Sequence, residues 1–190
     1  MKIGIDIDGV ILDYERTLKT YGELYDLLEV KGNGVIKKDE QYLNNRYNWN
    51  EEELNGFVDK YFIQLTRETA FIPGAKDVIK MLKEDGHELI IISARGASVK
   101  EMKDAAEEVL QKAGLSFDKY YWQQVSKIEI AKKEQIDLMI DDTYEVCKAL
   151  SENGVKVIYF RDNNMKKLQE GEYVKEVSNW GEIYRYIKNY

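Results

Sequence analysis

The N-terminal segment constrains what this chain can fold into more than any other stretch of the sequence. A short Ile-rich run leads into the residues Asp6-Ile7-Asp8-Gly9-Val10. Successive side chains of a strand point to opposite faces, so Asp6 and Asp8 lie on the same side, where the strand ends. In open α/β sheets, that carboxyl edge is where ligands bind. Two converging carboxylates repel each other unless a cation lies between them, so the segment predicts either a divalent cation site or an ordinary acidic turn.

The composition is that of a globular protein, with 44% hydrophobic and 33% charged residues among 190. This length fits one domain, or one domain with an inserted subdomain. The net charge of −7 disfavours nucleic-acid polymers and anionic membranes as partners. Asp6 interrupts the N-terminal apolar run, and no run approaches the roughly 20 residues of a membrane span, so we expect neither a signal peptide nor a membrane segment. Cys147 is the only cysteine, which excludes an intramolecular disulfide and suits the cytoplasmic location that we expect.

Hydrophobic periodicity divides the rest of the chain into two regions. Residues 14–71 contain helical patterns and many aromatic side chains, but no Val- or Ile-rich strand. From Pro73, the only proline, strands alternate with helices up to the C-terminus. This alternation predicts an α/β fold with a parallel sheet. We therefore expect a core made of residues 1–13 and 72–190, with a helical insertion at 14–71.

The expected elements follow from the same periodicity and from the Gly, Asn and Ser residues that bound it. The expected strands after the first are residues 87–92, 117–122, 137–140, 155–160 and 172–177. The expected helices are residues 14–30, 51–67, 73–84, 98–113, 127–135, 143–152 and 180–188.

Polar side chains recur where the predicted strands end and the helices begin. Ser93 follows an apolar strand, Lys127 begins a helix, and the pair Asp141-Asp142 closes another apolar run. Parallel strands place their carboxyl ends on one edge of the sheet, so these groups can meet Asp6 and Asp8. Taken singly, Ser93 fits an ordinary turn and Lys127 has rivals among the neighbouring lysines. A buried carboxylate pair is the stronger signal, because it is costly without a cation.

This combination of groups suits phosphoryl transfer. Mg²⁺ held by carboxylates and the ammonium of Lys127 can neutralise a phosphate ester, and Ser93 can donate a hydrogen bond to it. Asp6 can attack phosphorus to give an aspartyl phosphate. Asp8 can protonate the leaving oxygen and then accept a proton from water. Arg95 is a candidate for binding the substrate phosphate, with a surface ion pair as the alternative.

Two other classes of site lack the residues they need. His87, the only histidine, begins a predicted strand away from the edge that carries the carboxylates. This excludes a histidine-based metal site and a Ser-His hydrolase. Glycine-rich nucleotide loops of the Walker or dinucleotide type are also absent from the sequence.

The order of these motifs resembles the haloacid dehalogenase-like (HAD) phosphohydrolase superfamily, and the resemblance covers the whole predicted core. It implies a Rossmann-like core with a small helical cap of the C1 type at residues 14–71. It also implies that Asp6 is the nucleophile and Asp8 the acid/base. Ser93 and Lys127 would then bind the phosphate.

The same resemblance implies a Mg²⁺ site. The metal would contact the Asp6 carboxylate, the backbone carbonyl of Asp8 and the Asp141 carboxylate. Asp142 would act through water or through Lys127.

More narrowly, the chain resembles the 5'(3')-deoxyribonucleotidases and related bacterial nucleotidases. The shared features are Asp-Gly-Val in the first motif, the short cap, the segment Ser93-Ala94-Arg95 and the adjacent aspartates. We therefore expect a 5'-nucleotidase acting on nucleoside monophosphates. A sugar-phosphate phosphatase or phosphomutase is the alternative among enzymes. A phospho-accepting receiver and a non-catalytic phosphate-binding protein are the alternatives from other classes, and a homodimer stays open.

Aromatic residues of the insertion fit a nucleobase, because every base offers a face for stacking. The candidates are Tyr47, Trp49 and Phe57. The same rings can instead form the small core of the insertion itself.

Overall fold

The computed structural model describes residues 1–38, 40, 43–161 and 166–190. Within these ranges, six parallel strands form one sheet. The strands are β1 (Lys2–Ile5), β2 (Glu88–Ile92), β3 (Lys119–Tyr121), β4 (Leu138–Asp141), β5 (Val157–Phe160) and β6 (Val174–Val177). Their order across the sheet is β3-β2-β1-β4-β5-β6. The α/β fold that the alternation of helices and strands predicts is confirmed.

Helices connect the strands from β1 to β5, and a last helix follows β6. They are α1 (Tyr14–Tyr25), α2 (Leu43–Arg46), α3 (Glu51–Glu68), α4 (Ala75–Glu84), α5 (Glu101–Lys112), α6 (Ile128–Glu134), α7 (Tyr144–Glu152) and α8 (Trp180–Lys188). In the described parts of the chain, none of them has both the length and the apolar content that a membrane span requires.

The helix expected over residues 14–30 changes character after α1. One turn of π-helix covers Asp26–Val30, and Lys31 ends it in the left-handed region at φ 60°. The side chain of Asp26 is buried there, and it accepts hydrogen bonds from Trp49 Nε1 at 2.7 Å and from the Gly34 backbone N–H at 2.8 Å. The π-helical turn thus coincides with a buried carboxylate, Asp26, whose hydrogen bonds join two other parts of the insertion to this helix.

The first strand lies at the centre of the sheet, between β2 and β4. Ile3 and Ile5 are fully buried. Between them, Gly4 leaves room for the side chain of Met139 on β4, because a Cβ at this position would lie 2.6 Å from Met139 Sδ. This central position brings the acidic segment after β1 next to the ends of both neighbouring strands.

The insertion between β1 and α4 is helical in its described parts, as expected. Asn50 caps α3 and forms a capping box with Glu53, in which each side chain accepts a hydrogen bond from the other's backbone N–H. Helix α3 packs against both α1 and α5, and Phe57 belongs to the same hydrophobic cluster as Ile5. The insertion therefore shares a continuous apolar core with the sheet. The division into a core at 1–13 and 72–190 and a cap at 14–71 stays a prediction.

The C-terminal helix holds the turn that follows β1. Trp180 is fully buried, and its indole N–H donates a hydrogen bond of 2.8 Å to the Val10 carbonyl. A buried carbonyl that loses its donor costs about 1–3 kcal/mol. Helix α8 therefore helps to fix the position of the acidic segment, although it lies at the other end of the chain.

We predict that Trp180→Phe lowers the free energy of unfolding by about 1–3 kcal/mol, because the Val10 carbonyl loses its buried donor. Urea unfolding measures this change. Tyr184→Phe on the same helix is the matched control, because it removes an exposed hydrogen bond to Asp85. We expect the control to change stability by less than about 0.5 kcal/mol. Equal losses in the two variants would contradict the role given to Trp180.

Candidate active site

The candidate groups meet at the carboxyl edge of the sheet. Asp6 directly follows β1, and its backbone N–H donates to the Ile140 carbonyl of β4 at 3.0 Å. Asp141 ends β4, and Ser93 directly follows β2. Because these three strands are neighbours, residues that are far apart in the sequence lie around one point.

Lys127 links two of the carboxylates. Its Nζ lies 2.9 Å from Asp6 Oδ1 and 2.6 Å from Asp141 Oδ2. Burial lowers the pKa of Lys127, but the charges of Asp141 and Asp6 outweigh this effect and raise it overall, so the ammonium stays protonated. Burial raises the pKa of Asp6 to about 6, since the favourable charge of Lys127 offsets only part of the desolvation and Asp141 and Asp8 add to the repulsion.

Asp142 lies on the other side of this centre, against the turn that follows β1. A Cβ at Gly9 would lie 1.9 Å from Asp142 Oδ2, and Gly9 has φ +68°. Only glycine satisfies both conditions, so this residue allows the Asp142 carboxylate to approach the first motif. Burial raises the pKa of Asp142 well above its ordinary value, and the nearby charges of Glu15 and Asp141 raise it further.

The carboxylates of Asp6, Asp141 and Asp142 fit a divalent cation. One oxygen from each lies within 4.8 Å of the others, and all three residues are buried. Asp6 and Asp141 contact the ammonium of Lys127 and Asp142 adds a third carboxylate beside them, so negative charge is in excess. Hard carboxylate oxygens are the donors that Mg²⁺ prefers. This donor set could therefore hold the metal that the sequence predicts, and Mg²⁺ itself stays a proposal.

Asp8 lies apart from the lysine and pairs with Arg95. The guanidinium holds both carboxylate oxygens, through Nε to Oδ2 at 2.8 Å and through Nη2 to Oδ1. The Arg95 side chain is 2% exposed, and that of Asp8 is 25% exposed. The surface ion pair considered for Arg95 is therefore a buried one. Phosphate binding by Arg95 stays a prediction.

Ser93 is buried beside the first motif and belongs to the loop after β2. Its Oγ accepts a hydrogen bond of 3.3 Å from the Arg95 backbone N–H. Its own backbone N–H donates to the Tyr121 carbonyl at 3.0 Å. These contacts fix the loop at the sheet edge and leave the hydroxyl proton of Ser93 to donate elsewhere, as phosphate binding requires.

A cavity of about 1020 Å³ opens between the insertion and the sheet edge. Gly9 and Asp142 line it on the side of the acidic centre, whereas Asp6, Ser93 and Lys127 are not among its lining residues. Side chains of both charges line it on the side of the insertion, among them Lys19, Glu23 and Arg46. Its volume is that of a small-molecule site and exceeds what inorganic phosphate needs.

The aromatic candidates for base stacking pack mainly on one another. The rings of Tyr47 and Trp49 stack with centroids 4.4 Å apart, and Phe57 lies 5.4 Å from Trp49. Tyr47 is 2% exposed and Phe57 is fully buried, although Tyr47 borders the cavity. The packing thus follows the alternative in which these rings form the core of the insertion. Base stacking stays a prediction, and Phe57 presents no exposed face for it.

Two residues that the sequence patterns did not single out also face the site. The ring of Tyr14 lies under the Arg95 guanidinium, 4.9 Å from centroid to Cζ. Glu15 lines the cavity and has an ion pair of 3.5 Å with Lys19. Burial raises the pKa of Glu15 to about 7, and Lys19 offsets this only in part, while Asp8 adds to the increase. The sequence feature that could have identified Tyr14 and Glu15 is their position at the start of α1, directly after the acidic segment.

We predict that Asp6→Asn stabilises the metal-free protein at pH 8 and has much less effect at pH 4, close to the unfolded pKa of the carboxyl. A carboxyl whose folded pKa is raised to about 6 favours the fold while protonated and loses that contribution as the pH rises from about 4 to 6. At pH 8 the replacement removes the buried charge, and we expect a gain of about 1–3 kcal/mol. Melting temperatures in EDTA measure it.

Two comparisons make this prediction specific. Asp77→Asn changes an exposed aspartate of α4, and it should give no comparable difference between the two pH values. Added Mg²⁺ should raise the melting temperature of the wild type more than that of Asp6→Asn, because a metal bound to the folded state stabilises it. The prediction is wrong if Asp6→Asn destabilises the metal-free protein equally at both pH values.

Comparison with known proteins supports the resemblance. No family model matches the chain. Over 187 residues it is 25% identical to a curated nucleotidase of Clostridium acetobutylicum, and the match covers 97% of this chain and 92% of the relative.

Solved structures share the fold. A haloacid dehalogenase-like hydrolase from Streptococcus pneumoniae matches with a TM-score of 0.68 and 14% identity, over 98% of this chain and 97% of that one. A β-phosphoglucomutase from Clostridium difficile matches with a TM-score of 0.61 and 19% identity, over 99% of this chain and 95% of that one. The chain thus has the fold of the haloacid dehalogenase-like hydrolases over almost its whole length, and its resemblance to these hydrolases and to a nucleotidase is confirmed.

Proposed function

We propose that this protein is a Mg²⁺-dependent phosphomonoesterase that works through an aspartyl-phosphate intermediate. The observation that carries the proposal is the buried centre in which Lys127 joins Asp6 to Asp141, with Asp142 beside them. The centre offers a nucleophile, a fixed positive charge and a donor set for a divalent cation at one point. The fold and the curated nucleotidase relative support the same class of reaction.

In the first half of the proposed reaction, a carboxylate oxygen of Asp6 attacks phosphorus. The bond from phosphorus to the ester oxygen breaks, and Asp8 transfers a proton to that oxygen, so that a neutral alcohol leaves. With a pKa of about 6, Asp6 is ionised at neutral pH and can attack. Bound Mg²⁺ would supply further neutralisation of the phosphoryl charge.

In the second half, water attacks phosphorus of the aspartyl phosphate. Asp8, now ionised, accepts a proton from this water, and the bond between phosphorus and the Asp6 oxygen breaks. Inorganic phosphate is released and the Asp6 carboxylate is regenerated. In both halves, the Lys127 ammonium beside Asp6 opposes the negative charge at the reacting oxygens.

We propose nucleoside monophosphates as the substrates. The likeness to a nucleotidase over 187 residues and a cavity of about 1020 Å³ support this substrate class. A sugar-phosphate phosphatase or phosphomutase is the second candidate. The burial of Tyr47 and Phe57 favours it, because these rings then offer little surface for a base. A soluble small-molecule phosphate ester is the partner in either case, while a cytoplasmic location and a homodimer stay predictions.

The receiver and the non-catalytic binding protein stay alternatives from other classes. In receivers, the lysine comes after the acidic residues, whereas here the pair Asp141-Asp142 follows Lys127. A receiver would also keep a stable aspartyl phosphate and show no turnover. A binding protein would take up phosphate esters without releasing phosphate. Multiple turnover therefore separates the proposed enzyme from both.

We predict Mg²⁺-dependent release of inorganic phosphate from at least one nucleoside monophosphate in a panel that also contains sugar phosphates. EDTA should abolish turnover, because the repulsion among the buried carboxylates is then uncompensated. Asp6→Asn should lower kcat by at least about 10³-fold, since it removes the nucleophile. Asp77→Asn, at an exposed position of α4, should retain wild-type activity. Phosphate release measured by a colorimetric assay decides the matter.

Three outcomes would speak against parts of this function. Turnover of sugar phosphates at far higher kcat/KM than nucleotides would favour the second candidate. Turnover that is independent of Mg²⁺ would contradict the role of the carboxylate centre. No turnover on any substrate, with Asp6→Asn indistinguishable from the wild type, would contradict the enzyme itself.

A further inference from the structure

The strongest unexplained contact at the site is the pairing of Arg95 with Asp8. Arg95 comes from the loop after β2, and Asp8 from the segment after β1. The guanidinium uses Nε and Nη2 to engage both carboxylate oxygens. A bidentate pair fixes the carboxylate plane as well as its distance, which a single hydrogen bond would not do. The carboxylate of the proposed acid/base is thus held in one orientation.

Arg95 is itself held on both sides. Its backbone N–H donates to Ser93 Oγ at 3.3 Å, and its guanidinium lies 4.9 Å from the centroid of the Tyr14 ring. Tyr14 is 4% exposed, and its hydroxyl donates to the Phe62 carbonyl of α3 at 3.3 Å. The orientation of Asp8 therefore depends on successive contacts that lead from Asp8 through Arg95 to Tyr14, and so to helices α1 and α3 of the insertion.

We propose that Arg95 is a positioning residue that orients the acid/base Asp8 and does not bind the substrate phosphate, and that Tyr14 holds Arg95 in place from the insertion. This inference rests on the proposed phosphatase function. It differs from the expectation drawn from the sequence, in which Arg95 binds the phosphate. The observation behind the change is that Asp8 occupies the Nε–Nη2 edge of the guanidinium, one of the two edges with which an arginine binds a phosphate side by side.

One nitrogen of the Arg95 guanidinium leaves direct phosphate binding as the alternative that the experiment must test. Nη1 is buried and has no hydrogen-bond partner in the described structure. A phosphate oxygen could satisfy it, and Arg95 would then bind substrate directly. The two roles predict different kinetics, because a residue that acts through Asp8 matters only when the leaving group needs a proton.

The test compares benzyl phosphate with 4-nitrophenyl phosphate, which have similar size. Benzyl alcohol leaves only with a proton, whereas 4-nitrophenolate leaves without one. We expect Arg95→Met to lower kcat/KM for benzyl phosphate by roughly 10–100-fold and for 4-nitrophenyl phosphate by less than about 3-fold. Arg95→Lys should recover part of the loss, since lysine supplies one hydrogen bond but no bidentate pair. The inhibition constant of inorganic phosphate should change by less than about 3-fold.

A double-mutant cycle distinguishes an effect of Arg95→Met through Asp8 from a general loss of stability in that variant. If Arg95 acts through Asp8, Arg95→Met should have little further effect on benzyl phosphate in the Asp8→Asn background. Equal losses on both substrates, or inhibition by phosphate weakened by about 10-fold or more, would show that Arg95 binds phosphate and would overturn the inference. Full additivity of the two replacements would also overturn it.

Tyr14 has its own matched pair of variants. Tyr14→Leu removes the ring under Arg95, and we expect roughly a 3–10-fold loss that is confined to benzyl phosphate. Tyr14→Phe keeps the ring and loses only the hydrogen bond to the Phe62 carbonyl, so its loss on benzyl phosphate should be smaller than that of Tyr14→Leu. Benzyl phosphate carries no nucleobase, so a stacking role of Tyr14 toward a base does not enter. If Tyr14→Leu behaves like the wild type, the link to the insertion is wrong.

The assay also separates this inference from the proposed function. Wild-type turnover of 4-nitrophenyl phosphate with Mg²⁺ tests the phosphatase alone. An active wild type with Arg95 variants that show no dependence on the leaving group would overturn the positioning role and leave the phosphatase standing. An inactive wild type would overturn both.

Discussion

The structure depends on how much negative charge can be buried at one edge of a sheet. Lys127 supports Asp6 and Asp141 directly, yet desolvation still raises the pKa of Asp6 to about 6. Asp142 adds a further carboxylate that Lys127 does not contact closely. This buried negative charge lowers the stability of the folded, metal-free protein. Natural proteins retain such destabilising groups at functional sites. The repulsion that disfavours the metal-free state is also what would draw in a divalent cation.

The rest of the fold can be understood as the support for that centre. The order β2-β1-β4 makes neighbours of the three strand ends that carry Ser93, Asp6 and Asp141. Gly4 leaves room for the Met139 side chain beside β1, and Gly9 lets Asp142 approach the first motif. Trp180 holds the turn after β1 from the far end of the chain. Gly4, Gly9 and Val10 therefore contribute both to the packing of the core and to the position of the charged site.

The sequence allowed the architecture to be predicted because periodicity and bounding glycines are local signals. Periodicity predicts the parallel sheet and the helical insertion. Parallel strands place their carboxyl ends at one edge of the sheet, which predicts that Asp6, Lys127 and Asp141-Asp142 lie close together. The pairing of Arg95 with Asp8 could not be predicted, because it depends on the packing of two loops. The π-helical turn after α1 was missed for a similar reason, since the buried partners of Asp26 lie elsewhere in the chain.

The two aspartates of the first motif end in different electrostatic surroundings, and this difference is what their proposed roles require. Asp6 is buried against a lysine and further carboxylates, so its ionised form is close to a cation and poorly solvated, as suits a nucleophile. Asp8 is a quarter exposed and is held by an arginine in a fixed plane, where it can reach a leaving group or a water molecule. Enzymes commonly divide two carboxylates between two tasks by environment alone. In the proposed mechanism, the two carboxylates differ by the cation that each one contacts: Lys127 for Asp6 and Arg95 for Asp8.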